Sequence, residues 1–325
     1  MSGPTLVDVC SGAGGLALGL EQAGFEPRLL LDNDEGAVTT LQTNRPQWNV
    51  LHTDLLDFDP AEHPVSHDVD LLSAGLPRVR SSATVERADS QMEERLLKAA
   101  IYLVHAIRPR AVIIENVPGL AHSDEYQEFR EFARAELAHL GYKFTWLVVN
   151  AVDFGVPQNR KQGVLVAMKR DQTGVFCPPA PTVQEPTTVG MALGGSMASR
   201  GWKDAARWTA QADRPAPTLV GGSRNRGGAD LGPTGAKNTW ATMGVNAHTV
   251  GDAIPGPDFD WNPATGRDGM VKITVEQAAL LQGFPETWEI TGRKTARYRQ
   301  VGQATPPPVG RALGHALVAA LNGGG

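Results

Sequence analysis

The first half of the chain alternates short apolar runs with longer amphipathic stretches, and this alternation constrains the fold more than any other feature. Apolar runs typical of strands lie at residues 5–9, 28–31, 69–73, 111–114, 145–150 and 163–168. Stretches with helical spacing of apolar residues lie at 16–23, 35–44, 96–107 and 125–140. Because a helix between two strands supplies the crossover that parallel pairing needs, the pattern predicts an α/β fold with a parallel, doubly wound sheet.

Composition changes along the chain and suggests where domains begin. Of the 325 residues, 41% are hydrophobic, which excludes a disordered or collagen-like chain and allows two domains. Residues 177–263 are rich in Gly, Pro, Thr and Asn, and this stretch is too long for a structureless loop. We therefore predict a first domain at 1–175, a small irregular domain at 176–263 and a C-terminal segment at 264–325 with helices at 274–281 and 309–321.

Several classes of protein are disfavoured. No apolar run approaches the ~18 residues of a membrane helix, and the first ten residues lack the basic start of a signal peptide. Two cysteines, Cys10 and Cys177, cannot form the disulfide framework of a secreted protein. We expect a cytoplasmic protein with no membrane segment and no metal.

A glycine-rich turn, Cys10-Ser-Gly-Ala-Gly-Gly15, follows the first predicted strand and precedes the first predicted helix. Glycines there let a ligand approach the main chain, and a helix N-terminus offers free N–H groups. Asp32 ends the second predicted strand, where an acid can accept hydrogen bonds from ribose hydroxyls. The spacing Gly-x-Gly-Gly favours a nucleoside over a dinucleotide. The alternative is a tight turn that only packs a helix onto a sheet.

Two further charged features have alternative interpretations. Asp54 follows the expected end of a third strand, where it would contact an adenine amino group or cap a turn. The net charge is −5, yet residues 195–240 carry seven basic residues and three acids. This segment is either a polyanion-binding face or a solvated surface with scattered charge. The residues are Arg200, Lys203, Arg207, Arg214, Arg224, Arg226 and Lys237, against Asp204, Asp213 and Asp230.

Six elements, in order along almost the whole chain, resemble the motifs of the carbon-5 cytosine DNA methyltransferases. The last of them carries Gln303 where the family usually has Asn. Six elements in the right order are far more specific than any one alone. They are Asp8-Val-Cys-Ser-Gly-Ala-Gly-Gly15, Asp32-Asn-Asp34, Glu115-Asn116-Val117, Gln158-Asn-Arg160, Gln282-Gly-Phe-Pro285 and Gly302-Gln-Ala-Thr-Pro-Pro307.

The resemblance implies a Rossmann-like, S-adenosylmethionine-dependent methyltransferase sheet with residues 176–263 as an inserted target-recognition domain. It further implies double-stranded DNA as the substrate, with a cytosine flipped out of the stack; such a protein would be associated with the nucleoid. The implied cofactor contacts are Cys10, Ser11, Gly12, Gly14, Gly15, Leu16, Asp32, Asn33, Asp54, Gly75, Gln303 and Ala304. The implied substrate contacts are Pro77, Ser82, Asn116, Gln162, Arg224 and Arg226. Glu115, which would bond the cytosine ring nitrogen and amino group, and Arg160 are the implied catalytic residues that match the family.

The chain departs from the family at the nucleophile. Aligned on Gly75 and Pro77, Arg78 stands at the cysteine of the family's Pro-Cys-Gln loop, and Val79 at its glutamine. A guanidinium stays protonated and has no electron pair with which to attack carbon-6 of cytosine. Arg78 and Arg80 would instead bind a phosphate or stabilise an anionic transition state. The alternative is a degenerate loop. The final arginine of the Gln-x-Arg-x-Arg element is also replaced, by Gln162.

Three functions stay open from the sequence alone. The chain is an active methyltransferase that has replaced the cysteine route, an inactive protein that binds DNA, or an enzyme with a different reaction on a flipped base. Neither cysteine substitutes for the missing one, because Cys10 belongs to the glycine turn and Cys177 lies beyond the predicted core. Arg224 and Arg226 are the predicted DNA-contacting residues, since arginine commonly reads guanine edges and phosphates. The alternative is a solvated glycine-rich turn.

Overall fold

The computed structural model describes residues 3–78, 87–221 and 228–323, and of residues 87–90 only the helical backbone. The chain forms two compact units. The first comprises Met1–Val149, Lys161–Ala180 and Val309–Gly325, and the second comprises Asn150–Arg160 and Pro181–Pro308. Residues 264–308, expected to return to the first domain, group with the second unit, whereas the chain from Val309 onward groups with the first.

A seven-stranded sheet with the order β3-β2-β1-β4-β5-β7-β6 runs through the first unit. Its strands are β1 Thr5–Val9, β2 Glu26–Asp32, β3 Val50–His52, β4 Leu71–Gly75, β5 Ala111–Asn116, β6 Tyr142–Asn150 and β7 Lys161–Lys169. Strands β1 to β5 pair in parallel, which confirms the predicted α/β fold. The predicted parallel pairing does not extend to β7, which runs antiparallel to β5. Because only residues 151–160 join β6 to β7, the connection is too short for a crossover.

The described chain contains eleven α-helices in its two units. In sequence order they are α1 Gly15–Gln22, α2 Glu35–Asn44, α3 Arg87–Ile107, α4 Gly119–His122, α5 Gln127–His139, α6 Val189–Ala198, α7 Ala205–Gln211, α8 Thr234–Thr242, α9 Val275–Leu281, α10 Lys294–Gln303 and α11 Pro307–Asn322. Side-chain capping explains where several of these helices begin. The Asp34 carboxylate accepts the Ala37 N–H at the start of α2, and Thr274 and Gln277 form a reciprocal capping box at α9.

The core of the first unit lies on both faces of the sheet. Every residue of β5 is buried, as expected of a central strand covered on each side. The polar side chains Glu115 and Asn116 end this strand at the carboxyl edge of the parallel strands, where α/β proteins bind ligands. Helix α11 packs closely on α1, since a Cβ at Gly310 would lie 3.0 Å from the Leu16 carbonyl oxygen.

The second unit is built around tryptophans rather than a sheet. Trp202, Trp208, Trp240 and Trp261 are buried, and the rings of Trp202 and Trp261 meet edge to face with centroids 6.1 Å apart. Aromatic rings bury large areas, which lets short helices and irregular chain share a core. A two-residue parallel ladder joins Gln158–Asn159 to Ala216–Pro217. Within the described ranges, no helix is both long and apolar enough to cross a membrane.

Candidate cofactor and substrate site

The glycine turn after β1 has the positive-φ backbone conformation that favours glycine. Cys10, Gly12 and Gly14 all have positive φ, at 54°, 53° and 81°, and Gly14 is the N-cap of α1. No atom lies within 4 Å of the position that a Cβ on Gly12 would occupy. The main chain at Gly12 is therefore open to a ligand, next to the N-terminal N–H groups of α1.

Asp32 holds the glycine turn in place. Its Oδ2 accepts the Gly12 N–H at 2.8 Å and its Oδ1 accepts the Asp34 N–H at 2.8 Å. A carboxylate has about four acceptor positions, so Asp32 can also accept ribose hydroxyls. The Asn33 amide donates to Oδ2 of Asp54 at 2.7 Å, which brings three of the predicted cofactor residues together. Their contacts with a cofactor stay a prediction.

The surroundings of Cys10 keep its thiol protonated. Burial raises the pKa of Cys10 far above its ordinary value, and the negative charges of Asp32, Asp8 and Asp54 add to the effect. A thiolate nucleophile is therefore not available in the glycine turn. The same carboxylates give this part of the first unit a negative potential that suits a cationic ligand.

Asp8 is a functional candidate that the sequence interpretation did not single out. Its side chain is fully buried, it accepts a hydrogen bond from the Ser73 hydroxyl, and burial raises its pKa to about 6, with the charge of Asp32 adding to the effect. The available signal was a carboxylate inside the otherwise apolar run Leu6-Val-Asp-Val9. Its partner Ser73 lies 65 residues away, which no local pattern indicates.

The loop after β4 lies close to the glycine turn and is anchored by Asn116. A Cβ on Gly75 would lie 3.3 Å from the Cys10 carbonyl oxygen. The buried Asn116 amide donates to the Pro77 carbonyl oxygen at 3.1 Å, while its own oxygen accepts the Val117 N–H at 2.9 Å. Asn116, predicted to contact substrate, thus fixes the chain directly before Arg78.

Arg78 faces Glu115 across the end of the sheet. Nη2 of Arg78 lies 3.9 Å from Oε1 of Glu115, and their side chains are 29% and 5% exposed. The buried Nε and Nη2 atoms of Arg78 have no hydrogen-bond partner among the described residues. The pair can present donors and an acceptor to a base, but a guanidinium supplies no nucleophile.

The other predicted site residues are distributed over both units. Ser11, Gly15 and Leu16 belong to the glycine turn and the first turn of α1, and Gln162 is buried in β7. In the second unit, Gln303 is exposed and Ala304 is buried at the end of α10, and Arg160 is fully buried. Arg80, Ser82, Arg224 and Arg226 lie outside the described residues. No cluster of three metal-ligating side chains occurs in the described chain.

Ion pairs neutralise the acids of the basic segment and leave its other cations in excess. All three acids between residues 195 and 240 pair with a neighbouring cation: Asp204 with Arg207 at 3.2 Å, Asp213 with Arg214 at 3.0 Å and Asp230 with Lys237 at 2.9 Å. Each pair is locally neutral. The net positive charge of the segment therefore comes from Arg200 and Lys203, together with Arg224 and Arg226.

The sheet and the glycine turn have the Rossmann-like fold found in methyltransferases. The structure is similar over 98% of both chains to the Entamoeba histolytica methyltransferase EhMeth, with a TM-score of 0.65 and 13% identity. It is similar to the S. pombe Dnmt2 methyltransferase over 95% of this chain and 96% of that one, with a TM-score of 0.62 and 15% identity. At these identities the likeness concerns the fold alone.

The sequence comparisons identify the family. The family model of the C-5 cytosine-specific DNA methylases matches residues 5–319, and the chain belongs to this family. It is 35% identical to the type II methyltransferase M.NgoMIV of Neisseria gonorrhoeae over 325 residues, 98% of each chain. It is 41% identical to the type II methyltransferase M.NaeI of Lentzea aerocolonigenes over 321 residues, 98% of this chain and 75% of that one. The resemblance found in the six motifs is confirmed, and members of the family use S-adenosylmethionine.

Proposed function

We propose that the chain binds S-adenosylmethionine and duplex DNA, and that it does not transfer a methyl group by the thiolate route of its family. The observation that carries the proposal is the Arg78–Glu115 pair, with the Arg78 guanidinium 3.9 Å from the carboxylate predicted to bond the flipped base. The protein would then act by occupying DNA.

The proposal follows from what the reaction requires. Carbon-5 of cytosine becomes nucleophilic only after a thiolate has added to carbon-6, and arginine cannot make that addition. The chain has only two cysteines. The Cys10 thiol is kept protonated, and the exposed Cys177 lies beyond the end of β7, not on the loop after β4.

The residues present fit S-adenosylmethionine. The open main chain at Gly12 and the N-terminus of α1 would receive the ligand, and Asp32 and Asp54 would bond its nucleoside. When bound, the cofactor supplies an electrophilic methyl group on a positively charged sulfur. The carboxylates around Cys10 would stabilise that charge.

Binding to duplex DNA is supported by the charge pattern of the second unit. The neutralised acids between residues 195 and 240 leave an excess of arginine and lysine in an otherwise acidic chain. Phosphate contacts of this kind supply most of the affinity of a protein for DNA.

The test is restoration of the missing nucleophile. The variant Arg78→Cys with Val79→Gln should transfer tritiated methyl groups from S-adenosylmethionine to mixed-sequence duplex DNA, whereas the unchanged protein should give only background. Calorimetry with S-adenosylhomocysteine, the demethylated product, should show binding by both proteins.

Two controls define the background. Gly12→Asp places a side chain and a negative charge where a Cβ now meets open space, and should abolish cofactor binding. Arg28→Cys adds a thiol at an exposed position of β2 and should create no transfer. Incorporation by the unchanged protein above the Gly12→Asp level would overturn the claim of inactivity. Absence of S-adenosylhomocysteine binding would overturn the claim about the cofactor.

A further inference from the structure

Asp8 carries a buried carboxylate oxygen without a hydrogen-bond partner. The side chain has no exposed surface, and its Oδ1 accepts a hydrogen bond from the Ser73 hydroxyl on the neighbouring strand β4. Its Oδ2 is buried and accepts no hydrogen bond from the described residues. Because an ionised carboxylate away from water needs hydrogen bonds or an opposite charge, this oxygen is suited to carrying a proton.

The position of Asp8 connects it to the glycine turn. Asp8 lies on β1 two residues before Cys10, and its main-chain oxygen accepts the Ser11 hydroxyl at 3.1 Å. Burial raises the pKa of the Cys10 thiol, and three carboxylates add to the effect. They are those of Asp32, Asp8 and Asp54. Asp8 therefore lies within electrostatic reach of the turn that also feels the two acids expected to bond a nucleoside.

Burial and neighbouring groups set the protonation of Asp8. Burial raises its pKa to about 6, the hydroxyls of Ser11 and Ser73 oppose the rise, and the charge of Asp32 adds to it. Near this pH, Asp8 exchanges a proton with the solvent. Its charge can therefore respond to another charge placed nearby.

The elements around Asp8 bring little other charge to it. In the register of the sheet, Asp8 lies between Leu30 of β2 and Ser73 of β4. Asp32, at the end of β2, is the charge that acts on Asp8 most directly. The titratable side chains of α1, and of the helix α11 packed on it, all reach the protein surface; they are Glu21, Arg311 and His315.

We propose that Asp8 makes the cofactor site sensitive to the charge on the sulfur of the ligand: Asp8 releases its proton to solvent when S-adenosylmethionine binds and keeps it when S-adenosylhomocysteine binds. The proposal rests on the proposed function, because it assumes that the glycine turn receives the cofactor. The two ligands share their nucleoside, amino and carboxyl groups and differ in the methyl group and positive charge on sulfur. A nearby positive charge favours the ionised form of a carboxylate, whereas a neutral thioether does not. Asp8 is thus a specificity-determining residue that acts through charge.

The expected pH dependence has a definite sign. Below about pH 6 the free protein holds a proton at Asp8, and binding of the cationic ligand must release it. Affinity for S-adenosylmethionine should therefore rise with pH and level off above about pH 6. Affinity for S-adenosylhomocysteine should change much less. The ratio of the two affinities should then rise by roughly tenfold between about pH 4 and pH 7.

Calorimetry with each ligand measures this ratio across the pH range. Titrations near pH 6 in two buffers of different ionisation enthalpy give the number of protons released. The unchanged protein should release a fraction of a proton with S-adenosylmethionine and close to none with S-adenosylhomocysteine. Asp8→Asn keeps an acceptor for the Ser73 hydroxyl but has no proton to release, so its ratio should be the same at every pH.

A second variant tests the assignment should Asp8→Asn fail to fold. Ser73→Ala removes a hydrogen bond that lowers the pKa of Asp8, so the rise in the ratio should move to higher pH. The matched control is Asp68→Asn, which changes an exposed carboxylate before β4, at the edge of the sheet opposite the glycine turn. Asparagine readily adopts the positive φ of this residue, 51°. The control should keep the ratio and its pH dependence.

The other outcomes overturn separate claims. Failure of the unchanged protein to bind either ligand would overturn the proposed cofactor site itself. Binding of both ligands with a ratio that does not vary with pH would overturn the role of Asp8 and leave the cofactor site intact. The role of Asp8 would also be overturned if Asp8→Asn lowered both affinities by one factor and kept the pH dependence, as a purely structural residue would. An unmoved rise in Ser73→Ala would assign the proton to another group.

Discussion

Asp8 is a carboxylate inside the central strand β1, where burial raises its pKa to about 6 from 3.8. Between these two values the folded protein holds a proton at Asp8 that the unfolded chain has released. The free energy of unfolding therefore falls as the pH rises through this window, and the penalty is complete above about pH 6. A shift of this size corresponds to roughly 3 kcal/mol.

The variant Asp8→Asn removes the ionisation but keeps an acceptor for the Ser73 hydroxyl. Its free energy of unfolding, relative to the unchanged protein, should rise by roughly 2 kcal/mol between pH 4 and pH 7. Urea unfolding at four pH values measures the difference. Asp213→Asn at an exposed position serves as the control for removing a carboxylate outside the core. A pH-independent difference for Asp8→Asn would contradict the burial argument.

The positions of candidate site residues were predictable where a strand end or a motif marked them. Asp32 and Glu115 end strands at the carboxyl edge of the sheet, and both positions followed from the sequence. The contacts of Arg160 did not, because its partners lie 59 and more residues away along the chain. A local pattern reports the residue type but not the distant carbonyl group that it binds.

At the scale of elements, helix α6 contains glycines in opposite surroundings. A Cβ on Gly190 would lie 2.1 Å from the Thr209 carbonyl oxygen of α7, whereas one on Gly195 would meet nothing within 4 Å. The same substitution on the same helix should therefore have opposite effects. Of these two positions, only Gly190 lies against α7 closely enough to require glycine.

We expect Gly190→Ala to lower the free energy of unfolding by about 1–3 kcal/mol, because the two helices must move apart. Gly195→Ala should raise it by ~0.5–1 kcal/mol, since alanine restricts the unfolded chain and favours the helix. Thermal and urea unfolding of the two variants provide the comparison. Destabilisation by both would show that helix packing does not distinguish these glycines.

The boundaries of strands and helices were predictable from the sequence where residues close along the chain set them. The predicted bounds of β1 and α2 agree with the structure, and α2 begins at its Asp34 cap. The direction of β7 was not predictable from its composition, since a buried strand has the same apolar run in either direction. The structure of the second unit could not be predicted from the sequence, because the contact between the rings of Trp202 and Trp261 depends on tertiary packing.

At the scale of the whole molecule, charge is distributed unevenly. The chain has a net charge of −5 and an isoelectric point near 5.9, although residues 195–240 are basic. Net charge alone would oppose DNA binding, so the proposed binding requires a local excess of cations that dominates at short range. Screening limits the repulsion from distant acids, because the Debye length is about 8 Å at physiological salt.

Salt dependence measures how many cations contact phosphate. Each phosphate contact contributes about −0.9 to the slope of log affinity against log salt concentration. If Arg224 and Arg226 both contact the DNA backbone, Arg224→Ala with Arg226→Ala should make the slope less steep by roughly two units.

The control Arg28→Ala with Arg170→Ala removes the same net charge from the first unit and should leave the slope unchanged. Fluorescence anisotropy of a labelled duplex between 50 and 200 mM salt, a range over which two phosphate contacts alter affinity by about tenfold, gives both slopes. Equal changes in the two double variants would mean that overall charge, and not the segment that contains Arg224 and Arg226, governs binding.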